Sequence, residues 1–172
     1  MEKGGCGVDL CDRYTQTQQR YVETIDALGA SGQGASTVAL ARKLGVSAPS
    51  VTEAVRRLLD LGIVVRRGWH VIELSPRGRR VAGQLERRHK ALRQFMVEVL
   101  AMSAAQADTN ACLIEHCADS GFVSRLGRLA DFLATHECST LKTKWRRHLR
   151  RSLAGRSAGR ASSRREHSSA MA

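Results

Sequence analysis

Between Ser36 and Leu59 the sequence carries two short amphipathic stretches, each opened by a serine and separated by a single glycine. Ser36 caps a helix running through Lys43, with Val38, Leu40, Ala41 and Leu44 available to face inward. Gly45 makes the turn and Ser47 caps the next helix. Pro49 falls in that helix's first turn, where a missing N–H costs nothing. Val51, Val55, Leu58 and Leu59 supply its buried face. Helix, glycine turn and capped helix form a helix-turn-helix pattern. Gly62 ends the second helix. Ile63-Val64-Val65 and His70-Val71-Ile72-Glu73-Leu74 then read as two strands around Arg66-Arg67-Gly68-Trp69, a hairpin with a basic tip. The combination predicts a winged helix.

The flanking segments keep the helical period. A first helix is expected over Tyr14–Leu28, with Tyr21, Val22, Ile25 and Leu28 as its stripe and Gly29 at its end. Ser75-Pro76 opens a long helix over Arg77–Leu100, Ser103 caps another through Cys117, and a further helix covers Phe122–His136. Ser139–Leu153 reads as a strongly basic helix. The Gly-rich residues 1–12 and the low-complexity run from Ala154 are expected to be disordered. With only seven aromatics and two prolines, the core must rest on Leu, Val, Ile and Ala, so the fold class is mainly α.

The net charge of +12 is concentrated at one end, with ten Lys/Arg against one Glu from Lys142 onward. Such a balance favours a polyanionic partner, and the basic tail is expected to add non-specific affinity for DNA. No apolar run is long enough to span a membrane, and MEKGGCGVDLCD lacks the apolar core of a signal peptide, so the expected location is cytoplasmic. Five cysteines in a reducing compartment argue for free thiols or metal ligands; Cys6, Cys117 and Cys138 read as ordinary thiols.

Ala111-Cys112-Leu113-Ile114-Glu115-His116 carries the chemistry. On a helix, Cys112, Glu115 and His116 fall at i, i+3 and i+4, placing thiolate, carboxylate and imidazole on one face. That donor set suits a divalent transition metal. Its donors must lose protons to bind, so affinity should fall toward about pH 5.

Tyr21-Val-Glu-Thr-Ile25, Ala41-Arg-Lys-Leu-Gly-Val-Ser47, Pro49-Ser-Val-Thr-Glu53, Arg88-His89 and Cys112-Leu-Ile-Glu-His116 together resemble the diphtheria toxin repressor / manganese transport regulator family over residues 14–136. The resemblance implies an N-terminal winged helix-turn-helix followed by a helical metal-binding and dimerisation domain. It implies homodimers that bind palindromic operators upstream of metal-uptake genes when activated by iron or manganese. Length leaves no room for the SH3-like domain of some members, so the short manganese-regulator architecture is expected. The expected division is 1–12, a disordered N-terminus; 13–76, the DNA-binding domain; 77–138, the metal-binding and dimerisation domain; and 139–172, a basic helix and disordered tail. The dimer interface is expected over Ser103–His136.

By the same resemblance Glu23, His89, Cys112, Glu115 and His116 are metal ligands, and Asp108 falls at a ligand position of a second site. Two residues depart from the family. Arg20 stands where Asp or Met is a ligand, and Arg93 where the second site has Glu. A guanidinium cannot bind a metal. Asp26 or Cys11 are the candidates to complete the set. Thiolate with imidazole shifts preference from Mn(II) toward Fe(II), Co(II), Ni(II) or Zn(II), and cellular availability makes Fe(II) the first choice, with Mn(II) next and Co(II), Ni(II) or Zn(II) possible in vitro.

For DNA, the start of the recognition helix places Ser47, Pro49, Ser50 and Thr52 near base edges, with Arg42, Lys43, Arg56, Arg66 and Arg67 near phosphates. The leading reading is a metal-activated dimeric repressor. The alternative is a metal-independent architectural DNA binder whose sensor site has degenerated, motivated by Arg20. The sequence has no nucleophile–base arrangement, phosphate loop or HExxH, so an enzyme is not expected.

Overall fold

The computed structural model describes residues 10–152, apart from residues 33 and 69. The disorder expected for residues 1–9 and from 154 onward lies outside the described residues. Leu10–Arg13 forms a 3-10 turn, so residues 10–12, expected to be part of the disordered arm, are instead ordered. Cys11 is fully buried, and the Gln19 side-chain amide donates to the carbonyls of Cys11 and Tyr14 at 2.8 and 2.9 Å. The Cys11 thiol faces the Val81 carbonyl in the core, so Cys11 is not available as a metal ligand.

The first helix, α1 (Gln16–Ala30), is opened by a capping box between Thr15 and Gln18, two residues later than the stripe suggests. It continues through Gly29 and is ended by Gly32, at φ +72°. The helix-turn-helix follows as α2 (Thr37–Leu44) and α3 (Ala48–Asp60), capped by Ser36 and Ser47 as expected. Gly45 between them is left-handed, at φ +69°, a conformation that disfavours residues with a Cβ. Strands β1 (Val64–Arg67) and β2 (Val71–Leu74) pair antiparallel, with Val64 opposite Leu74 and Arg67 opposite Val71. Arg66 and Arg67 therefore belong to the strand and not to the tip, because the ladder runs on to Gly68, at φ +63°, before reversing. Ile72 N–H also bonds the Ala35 carbonyl, tying the wing to the start of the helix-turn-helix.

Helix α4 (Pro76–Glu98) leaves the wing and supplies side chains to two apolar clusters. Val81 and Leu85 join Ile25, Leu40, Val51, Val55, Leu58 and Ile63 in the first. Leu92 and Met96 join Ala107, Ala111 and Val123 in the second, with α5 (Ala104–Ile114) and α6 (Ser120–Ala134). The break after α4 comes at Ala101, which adopts φ +56° without being glycine. Residues 139–152 form a final helix, α7. No helix among the described residues is long and apolar enough to cross a membrane.

The join between wing and α4 is close-packed. Ser75 Oγ donates to the Gly62 carbonyl at 2.7 Å and accepts from Gly78 N–H at 3.0 Å. A Cβ on Gly78 would lie 2.1 Å from the Ile63 carbonyl oxygen, which is backbone and cannot swing aside. Gly78→Ala is therefore expected to cost about 3 kcal/mol or more, read as a lowered urea midpoint, whereas Gly83→Ala, with 3.5 Å of clearance to a flexible Arg87 side chain, is expected to be neutral or stabilising.

Candidate metal centre and nucleic-acid interface

Three parts of the fold converge on one buried carboxylate. Glu23 projects from α1, His89 from α4, and Glu115 and His116 from the turn after α5. That turn corrects the expectation of a continuous helix through Cys117. Helix α5 stops at Ile114, and Glu115 is its C-cap with helical dihedrals. The Cys117 N–H closes on the Ile114 carbonyl, and Asp119 is already the extended N-cap of α6. The Arg88 guanidinium, buried and paired with Asp12, takes the Ala118 carbonyl and holds this reversal.

Glu115 is 2% exposed. Its Oε1 lies 3.7 Å from His116 Nε2, which is 3.4 Å from Glu23 Oε2. Donor atoms of Glu23, Glu115 and His116 all lie within 4.8 Å of one another. Burial, and then the charge of Glu23, push the Glu115 carboxyl above its ordinary range, although His89 and His116 pull it down. Two carboxylates this close in a desolvated place favour a cation between them. The donors present thus fit a divalent metal.

Gln19 prepares His116 for that role. The Gln19 amide nitrogen is committed to two carbonyls, so its Oε1 is an acceptor, and it faces His116 Nδ1 at 3.0 Å. His116 must then carry a proton on Nδ1, so Nε2, which faces Glu23 and Glu115, is the nitrogen left to meet a metal. Sequence reasoning missed Gln19. Its place one turn before Glu23 on α1, the same helix face, is the signal that points to it.

The other expected ligands are less direct. His89 presents Nδ1 to Glu115 Oε2 at 3.0 Å and Nε2 to Asp108 Oδ1 at 3.1 Å, so both nitrogens already face carboxylates. Arg93 Nε lies 3.5 Å from the same Asp108 oxygen, a cation where a second metal would need an acid. Cys112 is exposed and outside the closest donor set. Burial and the charges of Glu115 and Glu23 raise its thiol pKa, while Arg20 acts in the opposite sense. Asp26 lines the same opening as Glu23, His89 and Glu115.

On the helix-turn-helix, Ser47, Pro49, Ser50 and Thr52 are all exposed, as are Arg42, Lys43, Arg56, Arg66 and Arg67. Ser47 Oγ accepts from the Ser50 N–H and lies 2.8 Å from Ser50 Oγ. Thr52 Oγ1 donates to the Ala48 carbonyl. Arg56 pairs with Glu53 at 2.9 Å and Arg67 with Glu73 at 3.4 Å.

Two family models match the chain. The "Iron dependent repressor, N-terminal DNA binding domain" covers residues 13–68, and the "Iron dependent repressor, metal binding and dimerisation domain" covers residues 75–143. The Transcriptional regulator MntR of Salmonella typhimurium is 34% identical over 96 residues, which is 56% of this chain and 60% of that protein. The Diphtheria toxin repressor of Corynebacterium diphtheriae is 27% identical over 108 residues, 63% of this chain and 46% of that protein. Among solved structures, the manganese regulator SloR superposes with a TM-score of 0.57 at 28% identity, covering 67% of this chain and 54% of that one. ScaR with bound Zn2+ superposes with a TM-score of 0.60 at 25% identity and the same coverage.

Gln19→Leu removes the acceptor that sets the His116 tautomer. It is expected to weaken Mn(II) or Co(II) binding about 10- to 100-fold, measured by calorimetric titration, with His116 and Glu23 unchanged.

Proposed function

The chain belongs to the family of the diphtheria toxin repressor and the manganese transport regulator, and from that membership we propose that it is a dimeric, metal-dependent transcriptional regulator that acts in the cytoplasm as a repressor of metal-uptake genes, a binding protein and not an enzyme. The observation that carries the proposal is the convergence of Glu23 from α1 with Glu115 and His116 from the turn after α5. Helix α1 packs in the same apolar cluster as α2 and α3, whereas α5 belongs to the second cluster.

Glu23, Glu115 and His116 are the proposed core ligands. His89 joins by exchanging one of its carboxylate contacts, and Cys112 joins from the rim. Asp108, held by Arg93, serves to orient His89. A bound divalent cation supplies the positive charge that allows Glu23 and Glu115 to remain ionised side by side. Fe(II) is the proposed metal, with Mn(II) next. Ligands drawn from α1 and from the α5 turn favour the arrangement in which those elements are close, which biases the orientation of α3.

Helix α3 is proposed to enter the major groove with Ser47, Pro49, Ser50 and Thr52 toward base edges. Arg42, Lys43, Arg56, Arg66 and Arg67 face phosphates. Arg56 and Arg67 would exchange Glu53 and Glu73 for phosphate, and such exposed pairs are weak enough to be exchanged. A palindromic operator requires two copies. Exposed Leu113, Ile114, Phe122, Leu129 and Phe132 on and beside α5 and α6 are the proposed twofold contact.

The test is fluorescence anisotropy on DNA from upstream of the protein's own gene, with chelator, with Mn(II), and with Fe(II) under anaerobic conditions. Wild type is expected to bind tightly only with metal. Cys112→Ala combined with His116→Ala is expected to lose that response while keeping the fold. The second reading, a metal-independent DNA binder, is favoured by Arg20 on the helix that carries Glu23; equal binding in every condition would establish it.

Metal at a hundredfold excess over its Kd is expected to stabilise the protein by about 2.7 kcal/mol, a melting-temperature rise of roughly 5–10 °C. Glu115 must be ionised to ligate, and its carboxyl is raised. Protons therefore compete from above the ordinary glutamate range, and the metal-induced rise is expected to begin shrinking on acidification at a higher pH than a glutamate of ordinary pKa would give. Thermal melts at a series of pH values check this, and Glu115→Gln is expected to show no metal-induced rise at any pH.

A further inference from the structure

Helix α7, residues 139–152, is a cationic surface that the metal centre and the helix-turn-helix do not use. It is fixed to the body on one side. Trp145 Nε1 donates to the Val99 carbonyl at 2.8 Å, Lys142 pairs with Glu98, and Arg146 adds to the positive field on Glu98. Cys138, just before it, is buried, and Leu149 is half-buried. The opposite side presents Lys144, Arg147 and Arg151 at i, i+3 and i+7, one stripe of a helix, with Arg150 at its border. All four are exposed, and none has a carboxylate partner within 4.0 Å among the described residues. No Asp or Glu occurs between Glu137 and Glu166.

We propose that this face of α7 binds the phosphate backbone of duplex DNA outside the segment read by α3. The proposal rests on the DNA-binding reading above and adds a second contact to it. Its place in the fold sets the partner's position. The wing joins the first residues of α4 and α7 joins its end, and α4 is about 35 Å long at 1.5 Å per residue. A separation of about one duplex turn keeps α7 off the bases under α3 of the same protomer, and the proposal places it on the flanking backbone. A membrane surface fits less well, because a helix that lies in a bilayer interface turns an apolar side outward. Here Trp145 is tied to the Val99 carbonyl and Leu149 is half-buried, and the stripe opposite them is polar, with Thr140 and His148 beside its Lys and Arg; Leu141 at its margin is the exposed aliphatic side chain of the helix.

The experiment compares Lys144→Ala/Arg147→Ala/Arg150→Ala/Arg151→Ala with wild type. Each is titrated in Mn(II) against a duplex just spanning the operator and against the same operator with flanks of about two helical turns on each side. All four positions are exposed and alanine favours helix, so the fold is retained; far-UV circular dichroism and melting temperature verify it. Wild type is expected to bind the long duplex more tightly than the short one, and the variant to lose that gain while matching wild type on the short duplex. At about 0.9 in log–log slope per phosphate, four contacts make wild-type binding to the long duplex fall roughly fifty-fold more than the variant's between about 50 and 150 mM salt. Equal affinities and equal salt slopes on the long duplex would overturn the proposal. So would tighter binding of wild type to phosphatidylserine vesicles than to flanked DNA, with that binding lost in the variant. Metal-independent binding with the flank gain intact would count against the regulator reading alone.

Discussion

A carboxylate excluded from water between elements distant in sequence is the constraint on which the rest of this structure depends. Glu115 lies against His89 of α4, near His116 beside it, and within reach of Glu23 of α1. Taking an acid out of water costs several kcal/mol unless its charge is matched. Here the nearest groups include a second acid, and the two imidazoles do not bring the Glu115 carboxyl back to its ordinary range. A site of this kind is at odds with itself when it holds only protein groups. A cation would relieve that conflict, and the proposed regulator reading couples its binding to the relative position of α1 and the α5 turn.

Helix α4 gives that coupling its mechanical frame. Its first turns are locked to the wing through Ser75 and Gly78, and its Val81 and Leu85 belong to the DNA-binding cluster. Its later turns carry His89 into the site and Leu92 and Met96 into the second cluster. Arg88, one residue before His89, reaches Asp12 at the N-terminal side and the Ala118 carbonyl at the start of α6. The proposed ligands therefore rest on packed helices, and Gln19 accepts from His116 Nδ1, which leaves Nε2 as the nitrogen facing Glu23 and Glu115.

Much of this was legible in the sequence, for identifiable reasons. The helix-turn-helix is written in local chemistry: Ser36, Gly45, Ser47 and Pro49 each satisfy a backbone requirement at their own position. The grouping of candidate donors was legible where they are neighbours in the chain, as with Glu115 and His116. What sequence could not supply are features settled by tertiary contact. Nothing local predicts that α5 stops at Ile114, since Arg88 and the Asp119 cap impose the reversal. Ala101 takes a left-handed conformation that its residue type does not announce. Cys11 reads as part of a loose Gly-rich arm, but a pocket against α4 buries it. The pairing of Asp108 with His89 and Arg93 joins residues far apart in sequence and has no local signal.

Linkage offers the most direct test of the central claim, that metal at Glu23, Glu115 and His116 and DNA at α3 act on the same equilibrium. The Kd for Mn(II) should be measured calorimetrically with and without saturating operator duplex. DNA is expected to tighten metal binding by the same factor by which metal tightens DNA binding. A Kd for metal that is unchanged by operator DNA would contradict it.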